Sequence, residues 1–198
     1  MHTPGSISKT DCEYMALSRY IRPLAYSILA GILLPTISFA QSPEARHLYD
    51  RGYQQIQKGI LIDASVLFTE ALAIDPEYAD AYYQRGLSFQ GMGREKHAIK
   101  DFTRATGLGI QQLDPYLRLI KWHTNRRQLP AALIVTDQVI AHMPENAAGG
   151  YWDKGKIYEQ MNKKQLAVAA YQAALTALDS DNADFANVIK ARIDVLNR

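Results

Sequence analysis

Four alanines recur along the chain at almost constant intervals, and this recurrence restricts the fold more than any other feature. They are Ala64, Ala98, Ala132 and Ala167, which are separated by 34, 34 and 35 residues. Aromatic residues and glycines recur in step with them, at Phe68, Phe102 and Tyr171 and at Gly52, Gly86 and Gly155. A fixed period of this length indicates that one structural unit is repeated and stacked.

The residue types at these positions suggest paired helices. Two helices approach closely only where one of them carries a small side chain. We therefore expect the glycines on first helices, the alanines facing them from second helices, and the aromatic rings between successive units. Because glycine inside a helix costs ~1 kcal/mol relative to alanine, three glycines at matching positions indicate a packing requirement.

Glycines and prolines mark the predicted helix ends. Gly59 and Gly93 fall between the two helices of a pair, Pro76 and Pro144 follow second helices, and Asp114 begins a first helix. The resulting helix pairs span about 44–75, 78–108, 113–143 and 147–179, and one more helix spans about 182–197.

These residues resemble the tetratricopeptide repeat, which sets a small residue on a first helix and alanine, aromatic and alanine residues on a second. The resemblance implies an all-α fold, a right-handed α-solenoid of about four helix pairs with a C-terminal capping helix. The repeats would span about 45–78, 79–112, 113–146 and 148–181, with the cap at 182–198.

The third repeat departs from this pattern. It has Ile120 where the small residue belongs and Thr136 where the aromatic residue belongs. The sequence leaves two interpretations open, a change in the pitch of the superhelix or a helix pair of different geometry.

Residues 1–40 have the features of a secretory signal peptide. Arg19 and Arg22 precede an apolar run at 24–34, and a small residue, Ala40, ends the segment. We predict cleavage after Ala40, a repeat domain at 41–198 and a periplasmic location, with no stable membrane insertion after cleavage. An uncleaved anchor is the alternative, although a spanning helix needs ~20 apolar residues.

Two acidic residues, Asp11 and Glu13, are unusual in such a leader, so Met15 is a candidate start. The only cysteine, Cys12, precedes the apolar run and cannot be a lipoprotein cysteine. The predicted domain therefore has no thiol, which agrees with an oxidising compartment.

The charge balance excludes one class of partner. Lysine and arginine total 22 against 20 for aspartate and glutamate, so no nucleic-acid partner is predicted. The histidines of the predicted domain fall at four different phases of the repeat, and the glycine-rich segments lack the context of a nucleotide loop. No metal, cofactor or catalytic residue is therefore predicted.

The resemblance implies that the first helices line a concave groove that holds a peptide. The predicted partner-binding residues are Tyr49, Tyr53, Tyr83, Leu87, Gln90, Lys121, Asn125, Trp152, Lys156 and Glu159. Large rings beside adaptable polar groups suit such a groove, because rings bury much area at little cost in rotamer entropy. The alternative for Tyr49, Tyr53, Tyr83 and Trp152 is that they belong to the core.

The functional prediction is a non-enzymatic adaptor of the bacterial cell envelope that binds a protein or peptide partner. Two alternatives stay open. One is a structural protein that forms homo-oligomers through its last helix or its irregular third repeat. The other, less favoured, is an enzyme built on repeats, in which the fold would bring histidines and carboxylates into one pocket.

Overall fold

The computed structural model describes residues 42–179 and 181–198. The predicted signal peptide, with its cleavage and start sites, lies outside the described residues. Within the described ranges the chain forms nine α-helices and no strand. The helices are α1 (Pro43–Gln57), α2 (Leu61–Ile74), α3 (Ala79–Gly91), α4 (Glu95–Gly107), α5 (Asp114–Asn125), α6 (Leu129–His142), α7 (Ala147–Gln160), α8 (Lys164–Thr176) and α9 (Ala183–Asn197). None of them combines the length and apolar character that crossing a bilayer requires.

The helices pack almost entirely against their neighbours in sequence. Four pairs follow one another, α1 with α2, α3 with α4, α5 with α6 and α7 with α8, and each second helix also contacts the first helix of the next pair. The last helix, α9, packs on α8 through the buried Ile189. The fold is an all-α solenoid, as the sequence predicts.

Each recurring glycine makes room for the aromatic ring of its own repeat. A methyl group added at Gly52 would lie 2.8 Å from Phe68 Cε1, and one added at Gly86 would lie 2.6 Å from Phe102 Cε1. Both rings are fully buried. Gly155 and Tyr171 form the same close pair in the fourth repeat. These rings were expected in the space between units, and the structure also places them directly over the glycines.

The recurring alanines lie in the interior, as predicted. Ala64, Ala132 and Ala167 have no exposed surface, and Ala98 is 1% exposed. Their methyl groups leave the second helices close to the first helices, so the rings four residues later reach the glycines. The core of the solenoid therefore runs along the row of helix pairs, divided among three clusters of buried side chains.

The third repeat also forms a helix pair, but its large side chain lies on the first helix and its small one on the second. Ile120, on α5, occupies the glycine position, and Thr136, on α6, occupies the ring position. Both are buried, and the Thr136 hydroxyl is satisfied by the Leu133 carbonyl oxygen at 2.7 Å. The pair α5–α6 packs less closely than the other three pairs. A branched side chain in place of glycine accounts for this difference, because it holds the two helices apart.

The turns within the pairs share one backbone conformation. Gly59 and Gly93 have φ values of 76° and 72°, and Arg127 and Asn162 adopt 58° at the corresponding positions. This left-handed conformation ends a first helix and reverses the chain, which explains the two glycines. The third and fourth repeats therefore keep the same turn, although Arg127 and Asn162 replace the glycine.

We expect Gly86→Ala to lower the free energy of unfolding by about 1–3 kcal/mol, because the new methyl group meets a buried ring that cannot move aside. The matched control is Gly149→Ala, in α7, where a methyl group meets nothing within 4 Å. This change should raise stability by up to about 1 kcal/mol through helix propensity. Urea unfolding measures both. Similar effects at the two sites would contradict the packing role of Gly86.

Candidate functional site

The first helices of the last three repeats, together with residues of α4, α8 and α9, line a series of adjoining hollows. The α3–α5 hollow has a volume of about 410 Å³, the α5–α7 hollow about 260 Å³ and the α7–α9 hollow about 440 Å³. The first two share Leu117, Lys121 and Asn125, and the second and third share Lys156 and Gln160. We call this surface the groove.

The centre of the groove is one face of α5. Leu117, Lys121 and Asn125 follow one another at intervals of four residues, so their side chains lie along the same side of the helix. Leu117 is 44% exposed, and Lys121 forms no ion pair among the described residues. This face therefore offers an aliphatic side chain, a cation and an amide in a row.

A network of polar side chains joins α3 and α5 along the groove. Asp114 Oδ2 accepts hydrogen bonds from the Tyr83 hydroxyl at 2.8 Å and from Arg118 Nε, and Arg118 Nη1 donates to Gln90 Oε1. Burial, together with the hydrogen bond to Asp114, raises the pKa of Tyr83 to about 12. The Tyr83 hydroxyl therefore stays protonated and keeps its donor role, while Arg118 neutralises Asp114.

A second network joins α7, α8 and α9. Glu159 accepts hydrogen bonds from the Tyr171 hydroxyl and from both Arg192 Nε and Nη2. We call these three residues the Glu159 clasp. The Arg192 hydrogen bonds are the main reason that the pKa of the Glu159 carboxyl is lowered. The clasp therefore fixes the wall of the α7–α9 hollow through a charged hydrogen-bonded pair.

Six of the ten predicted site residues line the groove. They are Gln90, Lys121, Asn125, Trp152, Lys156 and Glu159. Trp152 packs its ring on Tyr171 at 4.9 Å and on Phe185 at 5.5 Å, so it contributes to the core as well. Lys156 Nζ donates to Asp153 at 2.7 Å, and that pair is exposed on the lysine side.

Three of the other four predicted residues take part mainly in packing. Tyr83 is only 8% exposed, and Leu87 packs against the largest buried cluster. Tyr49 stacks on Tyr78 at 5.0 Å, and burial raises the pKa of Tyr49 to about 12. Tyr53 is 44% exposed beside it. The first repeat therefore presents one accessible ring, on Tyr53, at the edge of a cluster of rings.

Sequence reasoning did not place Leu117, Asp153, Gln160 and Arg192 in the groove. A signal for Leu117 was available, because it occupies the position held by Tyr49, Tyr83 and Trp152 in the other repeats and is the one member of that row without a ring. Arg192 had no such signal. Its contact with Glu159 depends on the angle at which α9 packs, and the repeat pattern does not determine that angle.

The histidines of the described residues have unrelated surroundings. His97 packs on Phe89, His123 Nδ1 lies 2.9 Å from Gln128 Oε1, and the His142 ring meets Tyr116. Within residues 42–179 and 181–198, no three histidine, cysteine, aspartate or glutamate side chains are grouped so that they could hold a metal ion. The chemistry of the groove is that of ion pairs, amides and apolar contacts.

Comparison with known proteins identifies the repeat. The model of the tetratricopeptide repeat matches residues 79–108 and 148–177, which are the pairs α3–α4 and α7–α8. The chain therefore carries tetratricopeptide repeats at its second and fourth helix pairs. The search of curated proteins finds no significant match.

Several solved structures have a similar fold. MamA from Desulfovibrio magneticus is 18% identical, with a TM-score of 0.52 over 80% of this chain and 98% of that one. A tetratricopeptide repeat protein from Parabacteroides merdae is 16% identical, with a TM-score of 0.59 over 79% of this chain and 61% of that one. YrrB, described as a repeat protein with an unusual peptide-binding site, is 21% identical, with a TM-score of 0.53 over 76% and 78%. At these identities the likeness extends to the fold alone.

The Glu159 clasp leads to a prediction about pH. Arg192→Met should lower the free energy of unfolding by about 1 kcal/mol at pH 7, since Arg192 is half exposed and its pair with Glu159 is screened by solvent. Because the pKa of folded Glu159 is lowered, the stabilisation is complete above the ordinary value of 4.5 and is lost as the pH falls through the lowered pKa.

Urea unfolding between pH 7 and pH 3 measures this effect, with Lys190→Met on the exposed side of α9 as the control. The control should change stability little at any pH. A loss in Arg192→Met that persists unchanged at pH 3 would contradict the role of the ion pair.

Proposed function

We propose that this protein is a binding adaptor of the bacterial cell envelope, which holds a segment of a partner protein in the groove. The observation that carries the proposal is the continuity of the groove, whose neighbouring hollows share Leu117, Lys121, Asn125, Lys156 and Gln160. An extended segment can follow such a surface and contact several helices in turn, as peptide ligands do in grooves of this kind.

The side chains of the groove support a peptide ligand. Asn125 can both donate and accept hydrogen bonds, which suits the alternating groups of a peptide backbone. Lys121 supplies a positive charge, and Leu117 supplies apolar area. Fixed networks around Asp114 and Glu159 hold the walls in place, so little order has to be gained when a ligand binds.

The envelope location is supported by the sequence of residues 1–40, with its basic residues, its short apolar run and the small residue at Ala40. A binding role is also in keeping with the likeness in fold to YrrB, whose description names a peptide-binding site. Binding rather than catalysis accounts for a groove whose polar groups are ion pairs, amides and Lys121, which is unpaired among the described residues, with the histidines in unrelated surroundings.

Self-association is the alternative, and one observation favours it. Val188 and Val195 lie seven residues apart on α9 and are 53% and 55% exposed. Residues at this spacing lie on the same side of a helix, so the end of the solenoid presents an apolar stripe that a second copy could cover.

A site-specific photocrosslinker separates these functions when it is placed in the full chain in bacterial cells. At Asn125, in the groove, it should give one dominant adduct with another protein, recovered from the periplasmic or envelope fraction. At Glu70, which is exposed on α2, a helix that lines none of the hollows, it should give none and serves as the matched control. At Val188, an adduct of twice the mass of the chain would favour self-association instead.

Equal labelling at positions 125 and 70, or no adduct at position 125, would contradict binding in the groove. An adduct recovered only from the cytosol would contradict the envelope location while leaving the binding function in place.

A further inference from the structure

The rings of this solenoid form pairs at a constant spacing. In three repeats a ring on the first helix packs against a ring that follows it by 19 residues on the second helix. The pairs are Tyr49 with Phe68, Tyr83 with Phe102 and Trp152 with Tyr171, at centroid distances of 5.5, 6.1 and 4.9 Å. The third repeat has Leu117 and Thr136 at these positions and therefore has no ring pair.

The missing ring leaves space at the surface of the groove. Leu117 lines the α3–α5 hollow, the α5–α7 hollow and a further hollow of about 220 Å³ beside the start of α7. Three hollows thus meet at one exposed aliphatic side chain. We call this place the Leu117 notch. A cavity of ~150 Å³ is sufficient to take up benzene, so the notch has room for an aromatic side chain.

The surroundings of the notch suit an aromatic ring. Ile120 and Ile157 line the α5–α7 hollow beside Leu117 and provide apolar walls. The Arg118 guanidinium already lies 5.8 Å from the centroid of the Phe102 ring, and Lys121 is at the rim. Cations in this position attract the face of a ring, which an aliphatic side chain does not offer.

The charged side chains around the notch differ in whether they have an ion-pair partner. In the α3–α5 and α5–α7 hollows each carboxylate has an ion-pair partner, since Asp114 pairs with Arg118, Asp153 with Lys156 and Glu95 with Arg126. Glu145, in the hollow beside the start of α7, accepts a hydrogen bond from Asn146. Lys121 has no ion-pair partner among the described residues. The charge left for a ligand in the α3–α5 and α5–α7 hollows is therefore positive, and a carboxylate on the ligand complements it.

We propose that the Leu117 notch binds a large aromatic side chain of the partner segment, and that Lys121 pairs with an acidic residue next to that side chain. The partner thus supplies the ring that the third repeat lacks. This inference rests on the proposed function of the groove, and it specifies the chemistry of the segment that the groove selects.

The test uses random twelve-residue peptides displayed on phage and selected on the full chain. We expect the selected peptides to share one Phe, Tyr or Trp with an Asp or Glu within two positions. Replacing that ring by leucine in a synthetic peptide should weaken binding at least tenfold, and this measurement needs no change in the protein.

Three variants test the notch through changes in the protein. Leu117→Trp places a ring in the notch, as Trp152 does in the fourth repeat, and should weaken binding at least tenfold while the thermal melting temperature is kept. Leu117→Met leaves the notch open and is the matched control, with binding within about twofold of the original, since this exchange conserves volume. Lys121→Glu should weaken binding of the acidic peptides, and added salt should then strengthen the binding that remains, because salt screens the new repulsion.

Peptides that bind in the groove but carry no ring, or that bind Leu117→Trp as well as they bind the original protein, would overturn the notch and leave the groove function standing. Selection of no peptide would overturn the notch as well, while the crosslink at position 125 decides separately whether the groove binds a protein.

Discussion

The pairing of a small residue with a large one across two helices is the contact on which the rest of this structure depends. Where Gly52, Gly86 and Gly155 lie on a first helix, a buried ring from the second helix occupies the space that a side chain would have filled. Because dispersion attraction acts only at short range, this close approach stabilises the core between the two helices of each pair. Among the described residues, each helix contacts mainly its neighbours in sequence, and the solenoid therefore depends on each pair being well packed.

The Leu117 notch lies in the one repeat in which the large side chain comes from the first helix and the small one from the second. In the third repeat the large side chain, Ile120, comes from the first helix and the small one, Thr136, from the second. The interior of this pair is still filled. Its first helix carries leucine at the position that holds a ring in the other repeats, and Leu117 is left exposed where three hollows meet. The same helix presents Lys121 with no ion pair among the described residues. The packing of the third repeat and the proposed notch thus both depend on the side chains in which this repeat differs from the others.

Much of this architecture can be predicted from the sequence because the repeat is dominated by local packing. Ala64, Ala98 and Ala167 recur at a fixed interval, and their burial follows from that interval alone. The positions of Gln90, Lys121 and Lys156 in the groove follow from the same interval. By contrast, Tyr83 could not be assigned to packing or binding in advance, because its burial depends on Asp114 and on the next helix. The contact between Glu159 and Arg192 could not be predicted either, because the repeat pattern does not determine the angle at which α9 packs.

A double-mutant cycle at positions 120 and 136 tests the central claim, that size complementarity across the helix pair builds the stack. Ile120→Gly should destabilise the protein by leaving a cavity, and Thr136→Phe should destabilise it by overpacking. The double variant recreates the glycine and ring of the other repeats, so its loss of stability should be at least about 1 kcal/mol smaller than the sum of the two single losses. Additive losses in urea unfolding would show that the two positions do not compensate each other and would contradict the account.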